Sequence, residues 1–309
     1  MRRIHTYAIV ATWIAVMALA APALAVTNGT LDGDDHPYVG LMVLYGDPLE
    51  GEELQELADD LGVDVNDVDP RFSNPLHRCS GTLVSPTHYL TAGHCVTQGE
   101  NLEDGSPNEG SAAVVWFHSD IQSQLDAVGY PFQPVLSDPL IVAGDPEAHP
   151  QYNDAAFYLF DLGIVLLEES VMGLGFGELP ELGVVDTLPR GRKALAIEAV
   201  GYGLQKASAN PVHASKTQAD RVRYQADLQI IDDKGTAGVP AGTSFTTSGD
   251  KNTGGTCFGD SGGPNFVNGT NIVAGVTSFG LNLNCGGVGG VYRVDAVDDL
   301  DWLSAEFGL

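Results

Sequence analysis

Short apolar runs separated by turn residues dominate the chain after its first 25 positions. Runs rich in Val, Ile, Leu, Phe and Tyr, bounded by Gly, Pro, Asn and Asp, are the signature of β-strands. They predict strands at Pro37–Leu44, Cys79–Val84, His88–Ala92, Ala112–Phe117, Ala194–Gly201, Val222–Ile231, Ile272–Phe279 and Gly290–Val294. Phe157–Leu167 is a further apolar run, interrupted by a single acid, Asp161. Leucines at helical spacing among acids predict a short surface helix over Glu50–Leu61, and Ala296–Phe307 reads as a terminal amphipathic helix. Gly99–Gly110 and Asp138–Pro150 read as loops. No internal repeat and no long linker divides the chain. Many short strands with one end helix place it in the all-β class, as a barrel or sandwich.

The N-terminus has a different pattern. Met1-Arg2-Arg3, an apolar run from Ala8 to Ala20 and the small-x-small step Ala23-Leu24-Ala25 together predict a secretory signal peptide over 1–25. The apolar run is short for a bilayer span. Residues 26–309 then form the mature domain, expected to be secreted, with no membrane partner after cleavage. The chain of 309 residues carries 14 basic and 41 acidic residues, a net charge of −27. Cleavage would remove Arg2 and Arg3 and no acid, deepening the charge to −29. So acidic a surface excludes nucleic acid and anionic membranes as natural partners.

Four cysteines, Cys79, Cys95, Cys257 and Cys285, include no Cys-x-x-Cys pair, which leaves zinc and thioredoxin-type chemistry without support. Export favours disulfides. Three pairings are possible, and proximity favours Cys79–Cys95 with Cys257–Cys285. The insertion Gly46–Arg78 ends in an acidic run, Asp64, Asn66, Asp67 and Asp69. It could hold a structural calcium, but it lacks EF-hand spacing and reads better as a solvated face. No metal or other cofactor is expected.

The densest chemical signal is Thr256-Cys257-Phe258-Gly259-Asp260-Ser261-Gly262-Gly263-Pro264. Glycines around one serine clear its hydroxyl and let nearby backbone N–H groups converge on one point, as an oxyanion requires. A serine needs a base, and the base needs an orienting acid. His94, in Leu90-Thr91-Ala92-Gly93-His94-Cys95, follows an apolar strand and abuts a cysteine, and is the best of eight histidines. Asp161 sits inside an apolar run, where an acid is costly unless paired. Asp154, in polar surroundings, is the fallback.

These motifs resemble those of the chymotrypsin/trypsin-like serine proteases, in that family's His, Asp, Ser order, and the resemblance is to secreted, bacterial-type members. The matches are Thr91–Cys95, Asp161–Leu167 and Gly259–Pro264, with Gly201-Tyr202-Gly203, Ser278-Phe279-Gly280 and Gly290-Val291-Tyr292 also in order. The resemblance implies two six-stranded antiparallel β-barrels with a C-terminal helix, and both short-range disulfides. It implies Ser261 as nucleophile, His94 as general base, Asp161 as orienting acid, and the N–H groups of Gly259 and Ser261 as oxyanion hole. Ser278, Phe279 and Gly280 would pair with the substrate backbone. Gly255 would form the base of the primary pocket, lined by Thr256, Gly280 and Gly290. With no acid at that base, a large apolar residue before the scissile bond is expected.

Signal cleavage would leave Val26 at the family's activated N-terminus, where its α-amino group would pair with Asp260. A protein or peptide substrate and a monomeric state are expected. The second reading is a catalytically silent binding module on the same fold. A lipase-type hydrolase is excluded by chain order, because there the serine comes first.

Overall fold

The computed structural model describes residues 26–27, 29–123, 134–191, 194–204, 221–235, 238–249, 253–281, 285 and 287–309. The expected signal segment 1–25 lies outside them. In chain order the strands of the first half are β1 (Thr30–Leu31), β2 (Val39–Tyr45), β3 (Pro75–Ser85), β4 (His88–Thr91), β5 (Ala112–Trp116), β6 (Ile141–Ala148) and β7 (Gly163–Leu167). Helix α1 (Gly51–Leu61) precedes β3, and the single turn α2 (Gly93–Val96) follows β4. Strands β2 to β7 close into an antiparallel barrel of order β2-β3-β4-β7-β6-β5. Every residue of β2 and β5 is buried, so these strands are apolar throughout rather than alternating.

The second half comprises α3 (Val184–Thr187), β8 (Ile197–Gly201), β9 (Tyr224–Leu228), β10 (Ile230–Asp232), β11 (Ser244–Gly249), β12 (Pro264–Val267), β13 (Val273–Gly280), β14 (Gly287–Arg293) and the terminal helix α4 (Val297–Phe307). Its sheet runs β1-β9-β8-β12-β13-β14-β11-β10. Strands β9 and β10 are two halves of one bent strand, separated only by Gln229. One half pairs with β8 and the other with β11, so the sheet rolls up on itself. At the bend the Ser248 N–H donates to the Gln229 carbonyl at 3.0 Å. Counted as one strand, β9–β10 makes the second barrel six-stranded, with β1 added at its edge. This is the two-barrel, helix-terminated all-β fold that the sequence implied.

Several segments depart from the sequence reading: β1 and β12 fall outside the predicted strands, and two further cases have a clear physical reason. Asp138–Pro150 was expected to be a loop, yet it contains β6. That strand pairs with β5 only through Ile141–Gly144, while Asp145–Ala148 pairs with β7 alone. Pro146 and the acids therefore sit where one edge is free, and proline needs no ladder partner there. Strand β11 (Ser-Phe-Thr-Thr-Ser-Gly) is buried although almost wholly polar. Most of its hydroxyls find partners, as where Ser248 Oγ meets Thr253 Oγ1 at 2.8 Å, while Ser244 Oγ has none among the described residues. Periodicity of apolar residues could not reveal it.

The barrels meet along a seam that is part apolar and part polar. One apolar cluster fills the first barrel and crosses to Val200, Phe266 and Val276 of the second. Beside it Arg223, 1% exposed, binds Asp32 at 2.6 Å, the carbonyls of Gly33, Val39 and Phe117, and the Tyr202 hydroxyl. The other Asp32 oxygen meets His36 Nδ1 at 2.6 Å. A buried guanidinium is tolerated only because its donors all find acceptors.

Candidate active site

His94 enters from α2, directly after β4, and the Cys79–Cys95 disulfide ties its neighbour to β3. Asp161 enters from the turn before β7 and is completely buried. Three donors converge on its carboxylate. The His94 backbone N–H lies 2.9 Å away, His94 Nδ1 lies 3.0 Å from both oxygens, and Ser278 Oγ donates at 2.5 Å. Those bonds offset the desolvation of a buried charge. Burial pushes the His94 pKa down, but the charge and hydrogen bond of Asp161, with a smaller contribution from Asp154, reverse this and hold it above the ordinary histidine value.

Asp161 is set in place from behind. Phe160 adopts a left-handed backbone (φ 53°), uncommon for a bulky residue. Its ring stacks on His149 at 4.9 Å, and His149 packs edge-on against Trp302 of α4. The terminal helix thus braces the turn that carries the acid. Ser278, expected as a backbone partner for substrate, turns its hydroxyl to Asp161. The β13–β14 register shifts between Thr277 and Phe279, and this bulge accompanies the turning of its hydroxyl to Asp161.

Ser261 comes from the second barrel. It and His94 line the same cavity of about 340 Å³. Ser261 Oγ makes no hydrogen bond to His94 Nε2 among the described contacts. Around it, the N–H groups of Asp260, Gly262 and Gly263 are all used, by Cys257, Thr277 and Asp260 carbonyls. Those of Gly259 and Ser261 have no partner among the described residues. Gly259 (φ 96°) and Gly262 (φ 73°) require positive φ, and a Cβ on Gly262 would lie 2.0 Å from Thr91 Oγ1.

The sequence reading missed what holds this loop. Ser80 of β3, fully buried, donates its backbone N–H to the Ser261 carbonyl (2.8 Å) and its hydroxyl to the Gly259 carbonyl (2.8 Å). The same hydroxyl accepts the Tyr202 N–H at 3.0 Å. Only a serine beside Cys79 hinted at this. Asp260 is likewise buried, taking N–H groups from Gly203 (2.8 Å) and Cys257 (2.9 Å), and burial pushes its pKa up to about 7.

Gly255, Thr256, Ser278, Phe279 and Gly280 all line the 340 Å³ cavity. Gly290, expected as a wall of the primary pocket, is not on this cavity's described lining, which includes Val288 and Gly289. Gly290 lies against the Phe279 ring, where a Cβ would come within 2.3 Å. The Cys257–Cys285 disulfide joins two sides of this cavity. Among the described residues no carboxylate lies at its base. The one acid on its described lining, Asp154, acts on His94. Val26 is fully buried in the second barrel's core, and Thr27 pairs with Gly255 through N–H···O at 3.0 Å.

The acidic run holds no cation-binding geometry. Asp64 and Asp69 accept the backbone N–H groups of Asn66 and Arg71, and Asp69 also pairs with the Arg71 guanidinium. Among the described residues, the one cluster of ligand-type side chains is Cys79, His94 and Cys95, whose sulfurs are joined in a disulfide. No described helix is long and apolar enough to cross a membrane.

Two β-barrels with a histidine–aspartate pair facing a glycine-flanked serine define the architecture of serine hydrolases of the trypsin class. A family model for trypsin matches residues 135–301, and a trypsin of Saccharopolyspora erythraea is 30% identical over 236 residues, 72% of this chain and 84% of that protein. The chain belongs to the trypsin family of serine proteases. Trypsin-family proteases need no cofactor. HL collagenase shares the fold with a TM-score of 0.60 at 18% identity, over 92% of this chain and 99% of that one. Human heparin binding protein does so at 0.58 and 15%, over 91% and 96%.

The Ser80 geometry yields a prediction. Ser80→Ala leaves the backbone bond to Ser261 but frees the Gly259 carbonyl and the Tyr202 N–H. Turnover (kcat) should fall about tenfold with KM within about twofold, the mark of a group that positions the oxyanion amides. Steady-state kinetics on a peptide substrate measures both. An unchanged kcat would show that the hydroxyl only fills space.

Proposed function

We propose that the protein is a secreted serine endopeptidase acting through Ser261, His94 and Asp161. The observation that carries this reading is the single cavity lined by both His94 and Ser261, with Asp161 held behind the imidazole by three donors. His94 Nε2 takes the Ser261 Oγ proton as that oxygen attacks the scissile carbonyl carbon. The carbonyl oxygen becomes anionic and accepts the N–H groups of Gly259 and Ser261. His94 returns the proton to the leaving amine as the C–N bond breaks. Water, deprotonated by His94, then cleaves the acyl ester and restores Ser261. Asp161 fixes the imidazole tautomer and stabilises its charged form.

The primary pocket is uncharged at its base and favours a large apolar residue before the scissile bond. Residues 1–25 act as a signal peptide, and its removal after Ala25 yields the active form. The freed α-amino group of Val26 pairs with Asp260, whose buried carboxylate lacks any cation among the groups that set its pKa. The segment Ser278–Gly280 pairs with the substrate backbone as an added strand. The protein acts as a monomer.

A silent binding module on the same fold is the second reading, since this fold also carries a protein named for heparin binding. Heparin is a polyanion, and a chain of net charge −27 opposes it. The complete set of Ser261, His94 and Asp161 favours the enzyme.

Ser261→Ala should keep the fold and remove turnover by about five to six orders of magnitude. A fluorophosphonate probe should label the wild type and not this variant, and labelling of both would refute the nucleophile. Because His94 must be neutral to accept a proton and its pKa is raised, kcat/KM should fall as pH drops through a midpoint above about 6.5. A midpoint at or below that value would remove His94 as base. N-terminal sequencing of active, secreted protein should begin at Val26, and a distant start would overturn signal cleavage as the activating step. A peptide library should be cut mainly after Phe, Tyr, Leu or Met, whereas cuts mainly after Lys or Arg would refute the pocket assignment.

A further inference from the structure

We propose that Tyr292 and Asp299 are positioning residues that hold the Phe160–Asp161 turn from behind and so fix the carboxylate that faces His94. This rests on the endopeptidase reading above. Asp299 lies on α4, three residues before Trp302 and therefore on the same face of the helix. It is 1% exposed, and the Tyr292 hydroxyl donates to it from 3.1 Å, equidistant from both carboxylate oxygens. Tyr292 comes from β14 and is itself buried. Its partner across the sheet is Val276 of β13, two residues before Ser278, whose hydroxyl donates to Asp161. Besides Asp299, the phenol feels the Asp161 charge and the Phe160 backbone N–H. The tyrosine hydroxyl therefore links the helix to the turn that carries Asp161.

The turn needs such support. Phe160 is left-handed (φ 53°), and a conformation unfavourable for a bulky residue persists only where its surroundings over-determine it. Helix α4 meets the turn in two ways. The first is aromatic: Trp302 packs edge-on against His149, whose ring stacks on Phe160. His149 is fixed in turn, its Nδ1 taking the Gln151 N–H at 3.2 Å and its ring bonded to the Asp298 backbone. The second is the Tyr292–Asp299 pair, and packing alone does not account for it. Burial pushes the Asp299 pKa up to about 7, with Asp298 and Asp295 adding to the push and the Tyr292 bond opposing it. No cation is among the groups acting on this carboxyl, so burying it costs more than burying an apolar side chain of the same size. What the pair supplies is direction. Apolar packing tolerates small shifts, whereas an O–H shared between two oxygens fixes where the phenol points.

The test compares Tyr292→Phe, Asp299→Asn, Asp299→Leu and the double variant Tyr292→Phe/Asp299→Leu in the full mature protein. Thermal unfolding measures stability, a fluorophosphonate counts active sites, and kinetics on one peptide substrate give KM and kcat per labelled site. Tyr292→Phe and Asp299→Leu should each lower kcat about three- to tenfold with KM within about twofold, because they loosen a group that acts in the transition state and not in binding. Asp299→Asn keeps an oxygen that can accept the phenol proton, and should stay within about twofold of the wild type. The double variant separates positioning from packing. It replaces a buried polar pair by apolar side chains, so it should unfold no earlier than either single variant, yet its kcat should stay as low as theirs. In Tyr292→Phe the midpoint of kcat/KM against pH should also fall toward the ordinary histidine value of about 6.5. The raised His94 pKa depends on Asp161 and Asp154 and not on Asp299 directly, so such a fall reports a displaced Asp161. Should the Asp299 variants fail to fold, Tyr292→Phe, which loses a single oxygen, decides through kcat and the midpoint. An unchanged kcat and midpoint in Tyr292→Phe, or recovery of kcat together with stability in the double variant, would overturn this proposal alone. A wild type that neither takes the label nor cleaves peptides would sink the endopeptidase reading and this proposal with it.

Discussion

The site depends on the register of one barrel against the other. His94 and Asp161 belong to the first barrel, Ser261 and Ser278 to the second, and neither half has a complete site. Apolar contact across the seam supplies adhesion, but dispersion and burial are not directional and would tolerate sliding. Direction comes from hydrogen bonds that have only one solution. Ser80 reaches from β3 to the Gly259 and Ser261 carbonyls, while Arg223 gathers Asp32, Val39, Phe117 and Tyr202 into one buried cluster. Tyr202 belongs to both sets, its hydroxyl bonded to Arg223 and its N–H to Ser80. A shift of the barrels would break several of these bonds at once and strand buried polar groups. The seam therefore resists the small displacements that would separate Ser261 from His94.

The same logic explains where the buried charges lie. Asp32, Asp161 and Asp260 are all almost inaccessible, yet their surroundings differ. Asp32 has a guanidinium and an imidazole, and these outweigh the upward push of burial to leave its pKa lowered. Asp161 has three donors, two of them from one histidine. Asp260 has only two backbone N–H groups, and burial wins. Each environment suits a different role: a permanent pin, an orienting partner, and a carboxylate still short of a counter-charge.

Much of this was legible in the sequence, for identifiable reasons. Residues that must be chemically specific and locally framed stood out: Ser261 among glycines, His94 after an apolar strand, Asp161 inside one. Strands filled with Val, Ile and Leu were visible, because burial on both faces leaves an unbroken apolar run. What stayed hidden was satisfied by tertiary partners. β11 is polar but buried, β6 carries a proline and two acids on a half-free edge, and Ser80 works only because the other barrel's loop lies against it.

The glycine-rich loop links these observations to energetics. Its open amides persist because neighbouring N–H groups are consumed elsewhere, and because glycines accept backbone angles other residues resist. The loop is also built around Asp260, whose carboxylate accepts the Cys257 N–H inside the loop and the Gly203 N–H outside it. A carboxyl group whose pKa is near 7 is ionised only in part at neutral pH, and its neutral form is a poorer acceptor for both N–H groups. A cation arriving beside it would draw the pKa back toward the ordinary carboxylate range, a change worth a few kcal/mol. That energy would be delivered directly to the loop that carries Ser261. Thr27 already pairs with Gly255, six residues before Ser261, so the chain just after Val26 is seated next to that loop. On the proposed reading, what cleavage adds is therefore a charge and not a rearranged fold, and the loop responds because its central carboxylate is buried with only two backbone N–H groups to compensate it.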